Sequence, residues 1–413
     1  MAASATQAAS RKTFAAYGFY VWIGILALLV AQGLASFARQ QINGHQITGL
    51  ADTTPWGLYI AGFVFFVGAS AGSTVIGLLV HAFGRKDYER LATRAILVGF
   101  LSLAAAVTFI AVDVGRTERM FLLPWYWHNP TSMFFYTSIT YYLFALILLG
   151  ELYYTVKLTR GSTSAWDRQA AKWLAILAVP FALVVVHAPH GALFAVVKAR
   201  AFWNNPLLPP HFAVVALVSG TALMALVTIG TSWLKKRELV GTSTLGHMAA
   251  LLAFFIGLAG FFDFFDWIVF AYSDKAEGVI AWDILFGSNT ALSVIHVAGY
   301  VVAFVLLLYV LVRRREWLVP TLAAASVVTL VAVAAYRYNL VTVGQAVPLL
   351  PFIPRDHYWP SWTEISIAVG IVSLIALSYS ILTRLLPLEE DASPLREKPA
   401  VAAGRLAPAG GSS

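Results

Sequence analysis

Apolar residues in this chain gather into runs of about twenty, long enough to cross a hydrocarbon core as helices, and short charged connections separate most of the runs. Ten spans are predicted: 14–36, 55–82, 89–113, 132–157, 169–190, 207–233, 246–271, 286–312, 317–337 and 361–385. Within lipid only helices and closed barrels satisfy every backbone polar group. The fold class expected is therefore an all-α integral membrane protein of about ten transmembrane helices. Pro180 and Pro189 fall in the fifth run, and each removes a backbone donor, so that helix is expected to be broken or kinked.

Composition supports the same class. Of 413 residues 59% are hydrophobic and 12% charged, with mean hydropathy +0.75, whereas a soluble domain carries about 25% charged residues. The net charge of +8 does not call for nucleic acid, because lysine and arginine mark the cytoplasmic loops of membrane proteins. With the N-terminus inside, twenty of the 28 basic residues fall on the inner side, among them Arg11, Lys12, Lys235, Lys236 and Arg313 to Arg315. Both termini are then cytoplasmic, and the connection Asp113–Ser132 faces outward. Met1 to Thr13 shows no cleavable-signal pattern. The absence of cysteine excludes disulfides, thiolate metal sites and cysteine-ligated iron–sulfur clusters from the chain. The Pro/Ala/Gly/Ser-rich tail after Pro387 is expected to be disordered.

Polar residues inside or at the mouths of the spans are where chemistry is expected, since intramembrane charge is costly unless paired. The Asp113–Ser132 connection carries Asp113, Arg116, Glu118, Arg119 and His128, and is rich in aromatics (Phe121, Trp125, Tyr126, Trp127). In the second span, Trp56 and Tyr59 precede Gly68-Ala-Ser-Ala-Gly72, which reads either as a close-packing face or as a slot for a flat ligand. His187 and His190 flank Pro189, and two imidazoles beside a kink favour a site over a plain interhelical hydrogen bond. Asp263 and Asp266 share one helical face and suit a proton or ion path, or a structural pair with Arg337. Glu151 in the fourth span is a further proton-path candidate. His296 could ligate a haem together with His187. Ser361 and Glu364 form a capping box, and Trp56, Trp125, Trp127, Trp203, Trp359 and Trp362 are expected to form an outer aromatic belt.

Asp113-x-Gly115-Arg116-x-x-Arg119, followed by Asn129-Pro130-x-Ser132-Met133, resembles the signature joining two helices in the NrfD family. Its members are membrane subunits of polysulfide reductase, related molybdenum enzymes and some membrane-bound hydrogenases. The segments from His187 to Leu207 and from Arg337 through Gly344-Gln345 to Ile365 are similar to its ten-helix, hydrogenase-type branch. The resemblance implies two four-helix bundles with flanking helices: 1–13 an inner segment, 14–54 an extra helix and outer loop, 55–205 the first bundle, 206–340 the second, 341–386 an outer loop and last helix, and 387–413 the tail. It also implies a multi-pass subunit of a prokaryotic cytoplasmic membrane that works with a quinone (menaquinone or ubiquinone) and binds no haem or metal. A ferredoxin-like iron–sulfur subunit is expected to dock on the outer face, with a molybdopterin or hydrogenase-type catalytic subunit beyond it. The chain alone is not expected to be catalytic, and membrane lipid rather than nucleic acid surrounds it. Carried over, Asp113 and Arg116 border the quinone pocket, and His187 and His190, with Trp56 and Tyr59, lie within reach of it. Asp263, Asp266, Glu151 and Arg337 as a proton route rest on burial chemistry alone. An ion-coupled secondary transporter and a b-type haem anchor are the competing readings.

Overall fold

Helices form wherever the sequence offers an uninterrupted apolar run, and they stop where glycine, proline or a charged cluster intervenes. The computed structural model describes residues 2–81, 85–120, 122, 125, 129–272, 276–348 and 357–388, with the side chains of 2–16, 77, 78, 81, 86, 89 and 276 left aside. The principal helices are α1 (Ala2–Asn43), α2 (Leu58–Ser73), α3 (Val75–His81), α4 (Glu89–Asp113), α5 (Met133–Thr159), α6 (Ala165–Pro180), α7 (Ala188–Ala195), α8 (Leu208–Lys235), α9 (Thr242–Ala271), α10 (Thr290–Val312), α11 (Leu318–Ala346) and α12 (Trp362–Leu385). Among the described residues, nine helices are long and apolar enough to cross a membrane. The tenth expected span is the pair α2 and α3, interrupted at Thr74. The protein is an all-α, multi-pass integral membrane protein.

Helices α2, α4, α5, α6 and α7 pack as one group and α8 to α11 as another, with α2 against both α8 and α11 at the join. Helices α1 and α12 pair with each other, and α12 rests on α4 and α2. Two main apolar cores result, one built around Phe63, Phe109 and Phe144 with Phe212 of α8, the other around Met224, Met248, Leu252 and Leu307. At the crossing of α2 and α8 the backbones nearly touch: a Cβ on Gly72 would lie 2.0 Å from the Ala216 carbonyl oxygen and 2.8 Å from the Gly220 Cα. Small residues allow this approach where lipid provides no hydrophobic drive between helices. At this crossing the glycine pattern of the second span is a packing face.

Several boundaries differ from the expected ones. The polar Arg337-Tyr-Asn339 was expected to close the ninth span, yet α11 runs on to Ala346, so Arg337 lies inside a helix, 1% exposed. Its polar neighbours find partners in the bundle and leave the chain no reason to stop. The fifth run extends from Ala165 to Ala195 as one span. Between its two α-helical pieces, Phe181–His187 is a π turn closed by the Ala188 N–H on the Leu183 carbonyl, the wider winding found where prolines disturb the ladder. Trp203 does not belong to an interfacial belt. It is 3% exposed, stacks on Trp56 at 5.5 Å and donates to the Leu340 carbonyl at 2.6 Å. Trp125, Trp359 and Trp362 are exposed as expected. Phe121, Tyr126, Trp127 and His128, and the tail from 389 on, lie outside the described residues.

The ends of α1, α4, α7, α9 and α11 gather with the starts of α2, α5, α8, α10 and α12. Gln40 donates to the Val112 carbonyl at 3.1 Å, the Gln345 side chain clamps both backbone groups of Trp56 at 2.9 and 2.8 Å, and Arg200 donates to the Gln345 and Val347 carbonyls. Burial holds the Arg200 guanidinium below its ordinary pKa. A strap closes the same end. Glu364, beyond capping α12 with Ser361, accepts from the Gly49 N–H at 2.6 Å and from the Tyr358 hydroxyl. Tyr358 in turn accepts from the Leu58 N–H at 2.8 Å. Burial, then the Glu364 carboxylate, push the Tyr358 phenol well above its ordinary range, so it remains a donor.

Candidate functional site

The π turn sets the first cluster. By widening the helix just before Pro189, it turns both His187 and His190 into the first helix group, 0% and 1% exposed. Neither ring nitrogen of His187 has a hydrogen-bond partner, nor does His190 Nε2. His190 Nδ1 meets the Tyr141 hydroxyl of α5 at 2.6 Å. Aromatic rings enclose the pair: Phe63 lies 4.8 Å from the His190 ring and Phe194 stacks on it at 6.2 Å, while Phe212 lies 5.9 Å from His187. Gly68 lies against His187, whose Cε1 would be in ordinary contact, 3.5 Å, with a Cβ placed there. Buried imidazoles without partners are uncommon, because an unmade hydrogen bond costs about 1–3 kcal/mol.

The second cluster stands in the other group. His211 on α8 lies between two carboxylates of α9, 3.6 Å from Asp263 and 3.6 Å from Asp266. His296 on α10 reaches the other oxygen of Asp263 at 3.1 Å. Asn205 donates to Asp266 at 2.7 Å, and the Tyr336 hydroxyl meets His211 at 3.3 Å. A cavity of about 50 Å³ opens beside Asp263 and His296, lined also by Ser293, Tyr336, Asn339 and Trp267. It can hold water but is far below the roughly 300 Å³ of a small-molecule pocket.

Of the residues singled out in the sequence, His187 and His190 stand together. Trp56 joins them through Phe194, 5.8 Å away. Tyr59 is fully buried, but its hydroxyl donates to Gln40 at 2.6 Å, beside the C-terminal turn of α4. Asp113 ends that helix with Oδ1 buried and unpartnered, and it feels the charge of Glu364. Arg116 departs from its expected place: Gly115 adopts φ +68°, the left-handed turn that glycine allows, and sends Arg116 to the exposed surface. The carried-over motif therefore supplies a buried acid and an exposed base. Asp263 and Asp266 are together as expected. Arg337 forms no ion pair with them within 4.0 Å; its guanidinium lies over the Phe212 ring at 4.1 Å. Glu151 is buried with Oε2 unpartnered, on α5, which packs on α4 and α6 rather than on α9. His211, Tyr141 and Tyr336 were not singled out in the sequence. The one hint for His211 was its place after Pro209-Pro210 near the mouth of a span. Among the described residues no group of three or more histidines and carboxylates has a metal-binding arrangement.

The family model described as polysulphide reductase, NrfD, matches residues 46–348. The chain is 27% identical to a selenate reductase subunit of Mesobacillus selenatarsenatis, over 89% of this chain and 94% of that protein. It is 29% identical to the Hdr-like menaquinol oxidoreductase integral membrane subunit of Archaeoglobus fulgidus, over 59% and 58%. A chain of the bd oxidase from Geobacillus thermodenitrificans shares the fold, with TM-score 0.53 at 13% identity, covering 88% of this chain and 98% of that one.

Proposed function

Because the chain belongs to the polysulphide reductase NrfD family, we propose that it is the quinone-reactive membrane subunit of a multisubunit oxidoreductase. The observation that carries this reading is the buried, side-by-side pair His187 and His190, with three of four ring nitrogens unpartnered. Names among the relatives point the same way, one being a reductase subunit and another a menaquinol oxidoreductase subunit. A quinone exchanges two electrons and two protons with its surroundings. The protein must therefore offer groups that donate and accept protons near neutral pH, which imidazole does best. When the Tyr141 hydroxyl donates to Nδ1, His190 carries its own proton at Nε2, the nitrogen free to meet a carbonyl oxygen. Phe63, Phe194 and Phe212 supply flat apolar walls that exclude water from this exchange.

Electrons pass to or from an iron–sulfur subunit seated at the end of the bundle that carries Asp113, Arg116 and Arg119, with the catalytic subunit beyond it. This end is the outer one by the distribution of lysine and arginine, which leaves both termini on the cytoplasmic side of a prokaryotic inner membrane. The pool is menaquinone or ubiquinone. Asp263, Asp266, His211 and His296 serve as a store for protons moved in step with the electrons; Glu151, on another helix, is a separate buried acid. The test is His187→Gln in the intact complex. We expect quinol-dependent turnover to fall at least about 100-fold while the partner subunits still co-purify; turnover at the wild-type rate removes His187 from the site.

A further inference from the structure

Between the two clusters sits a cation. Arg337 is 1% exposed, and its Nε and Nη1 have no hydrogen-bond partner. Nη2 alone reaches the Phe212 carbonyl, at 3.5 Å. Its guanidinium carbon lies 4.1 Å from the Phe212 ring and 5.3 Å from the Tyr336 ring. The same Phe212 ring contacts the histidines, with His187 and His190 at 5.9 and 5.8 Å from it. The Tyr336 ring in turn contacts His211 and His296, at 5.2 and 5.0 Å, and these two lie 3.6 and 3.1 Å from Asp263.

A guanidinium does not release its proton in a protein, so Arg337 cannot pass protons along a relay. It is a constant positive charge in a low-dielectric interior. We propose that Arg337 is the electrostatic link between the two clusters: it disfavours a proton on His187 and His190, favours the carboxylate of Asp263, and so ties the protonation of one to that of the other. This deepens the quinone-reactive reading and rests on it. Tyr300, buried on α10, and Asp266 complete the titratable groups that share the interior with it. A unit charge up to about 10 Å away, at an effective dielectric near 20, changes a proton equilibrium on the order of tenfold. When a proton from the substrate reaches the histidine pair, two positive charges face each other across Phe212. The excess proton is then more stable beside Asp263, on the other side of Arg337.

The test is the pH profile of quinol-dependent turnover in the intact complex. Removing the charge in Arg337→Met should let the histidines hold protons more tightly and move the acid limb of the profile to higher pH by about one unit, the tenfold change above. Arg337→Lys, which keeps the charge, should restore the limb to within a few tenths of a unit. Asp263→Asn should move it the opposite way, and this variant carries the test if Arg337→Met fails to assemble. Profiles that superimpose on the wild type in Arg337→Met, or in Asp263→Asn where the first cannot be made, overturn the inference. A wild-type complex that shows no quinone-dependent turnover would instead overturn the functional reading beneath it.

Discussion

The two buried clusters contain the same kind of residue in different surroundings, one among aromatic rings and the other among carboxylates. In the first helix group, the only hydrogen bond made by the His187 and His190 rings among the described residues is to Tyr141, and aromatic rings pack around them. In the second, both imidazoles meet carboxylates within 3.6 Å or less, beside a water-sized cavity. The difference separates recognition from storage. Buried polar groups left unsatisfied by the fold are available to a ligand, and their shortfall is made good only when it arrives. Imidazoles set against carboxylates can share a proton with them, even though His211 Nε2 and His296 Nε2 make no well-formed hydrogen bond. Removing a residue from each cluster should therefore give opposite signatures.

The largest effect expected is functional. His187→Gln should abolish quinol turnover by at least about 100-fold and leave the thermal midpoint of the purified chain within a few degrees of the wild type, since no hydrogen bond is broken. A collapse of stability with turnover per folded molecule preserved would reverse the comparison. The next effect is structural. Asp263→Ala leaves His296 without its carboxylate and His211 with Asp266 alone, and a buried polar group left without its partner typically costs about 1–3 kcal/mol. Thermal unfolding in detergent should report this directly; an unchanged midpoint would mean the second cluster is not held together by its charges.

The join between the regions gives a third test. Gly72→Ala places a methyl 2.0 Å from the Ala216 carbonyl, so α2 and α8 must separate. A core overpacked in this way loses roughly 1–3 kcal/mol, and both clusters should suffer together: lower thermal stability accompanied by lower turnover. If turnover alone fell, the crossing would belong to the first site rather than to the join.

How much of this was legible from sequence depends on the range over which each feature is decided. Span number and class follow from local apolar content and were readable. His187, His190, Asp263 and Asp266 stood out because intramembrane charge needs a reason. Arg337 also stood out, but as the end of a span, because the polar run Arg337-Tyr-Asn339 looks like an interface until Ser293 and Asn289 on and before α10 are seen to satisfy Asn339. Glu364 read as a capping box, which is local, while its bonds to Gly49 and Tyr358 are made by chain segments that only folding brings close. Tyr141 carried no signal and His211 only its place after Pro209-Pro210, since a lone histidine or tyrosine in an apolar helix gains meaning from the neighbouring helix. Arg116 shows the reverse case: its motif is local and readable, while its exposure follows from the left-handed turn at Gly115.

The smallest effect bears on the one hydrogen bond that the first cluster does possess. Tyr141→Phe removes the hydroxyl 2.6 Å from His190 Nδ1 and leaves the ring that packs edge-on against Phe63. The fold loses about 1–3 kcal/mol, the cost of leaving Nδ1 buried without its partner, while the aromatic packing survives. What changes is the choice of tautomer, since Nδ1 no longer has a donor that keeps the proton on Nε2. Turnover should fall several-fold, well short of the His187→Gln loss, with the drop in kcat rather than in KM if the hydroxyl orients a proton rather than binds the substrate. A rise in KM at constant kcat would place Tyr141 in direct contact with the substrate, and the first cluster would then comprise three groups facing the ligand instead of a pair held in register by a third.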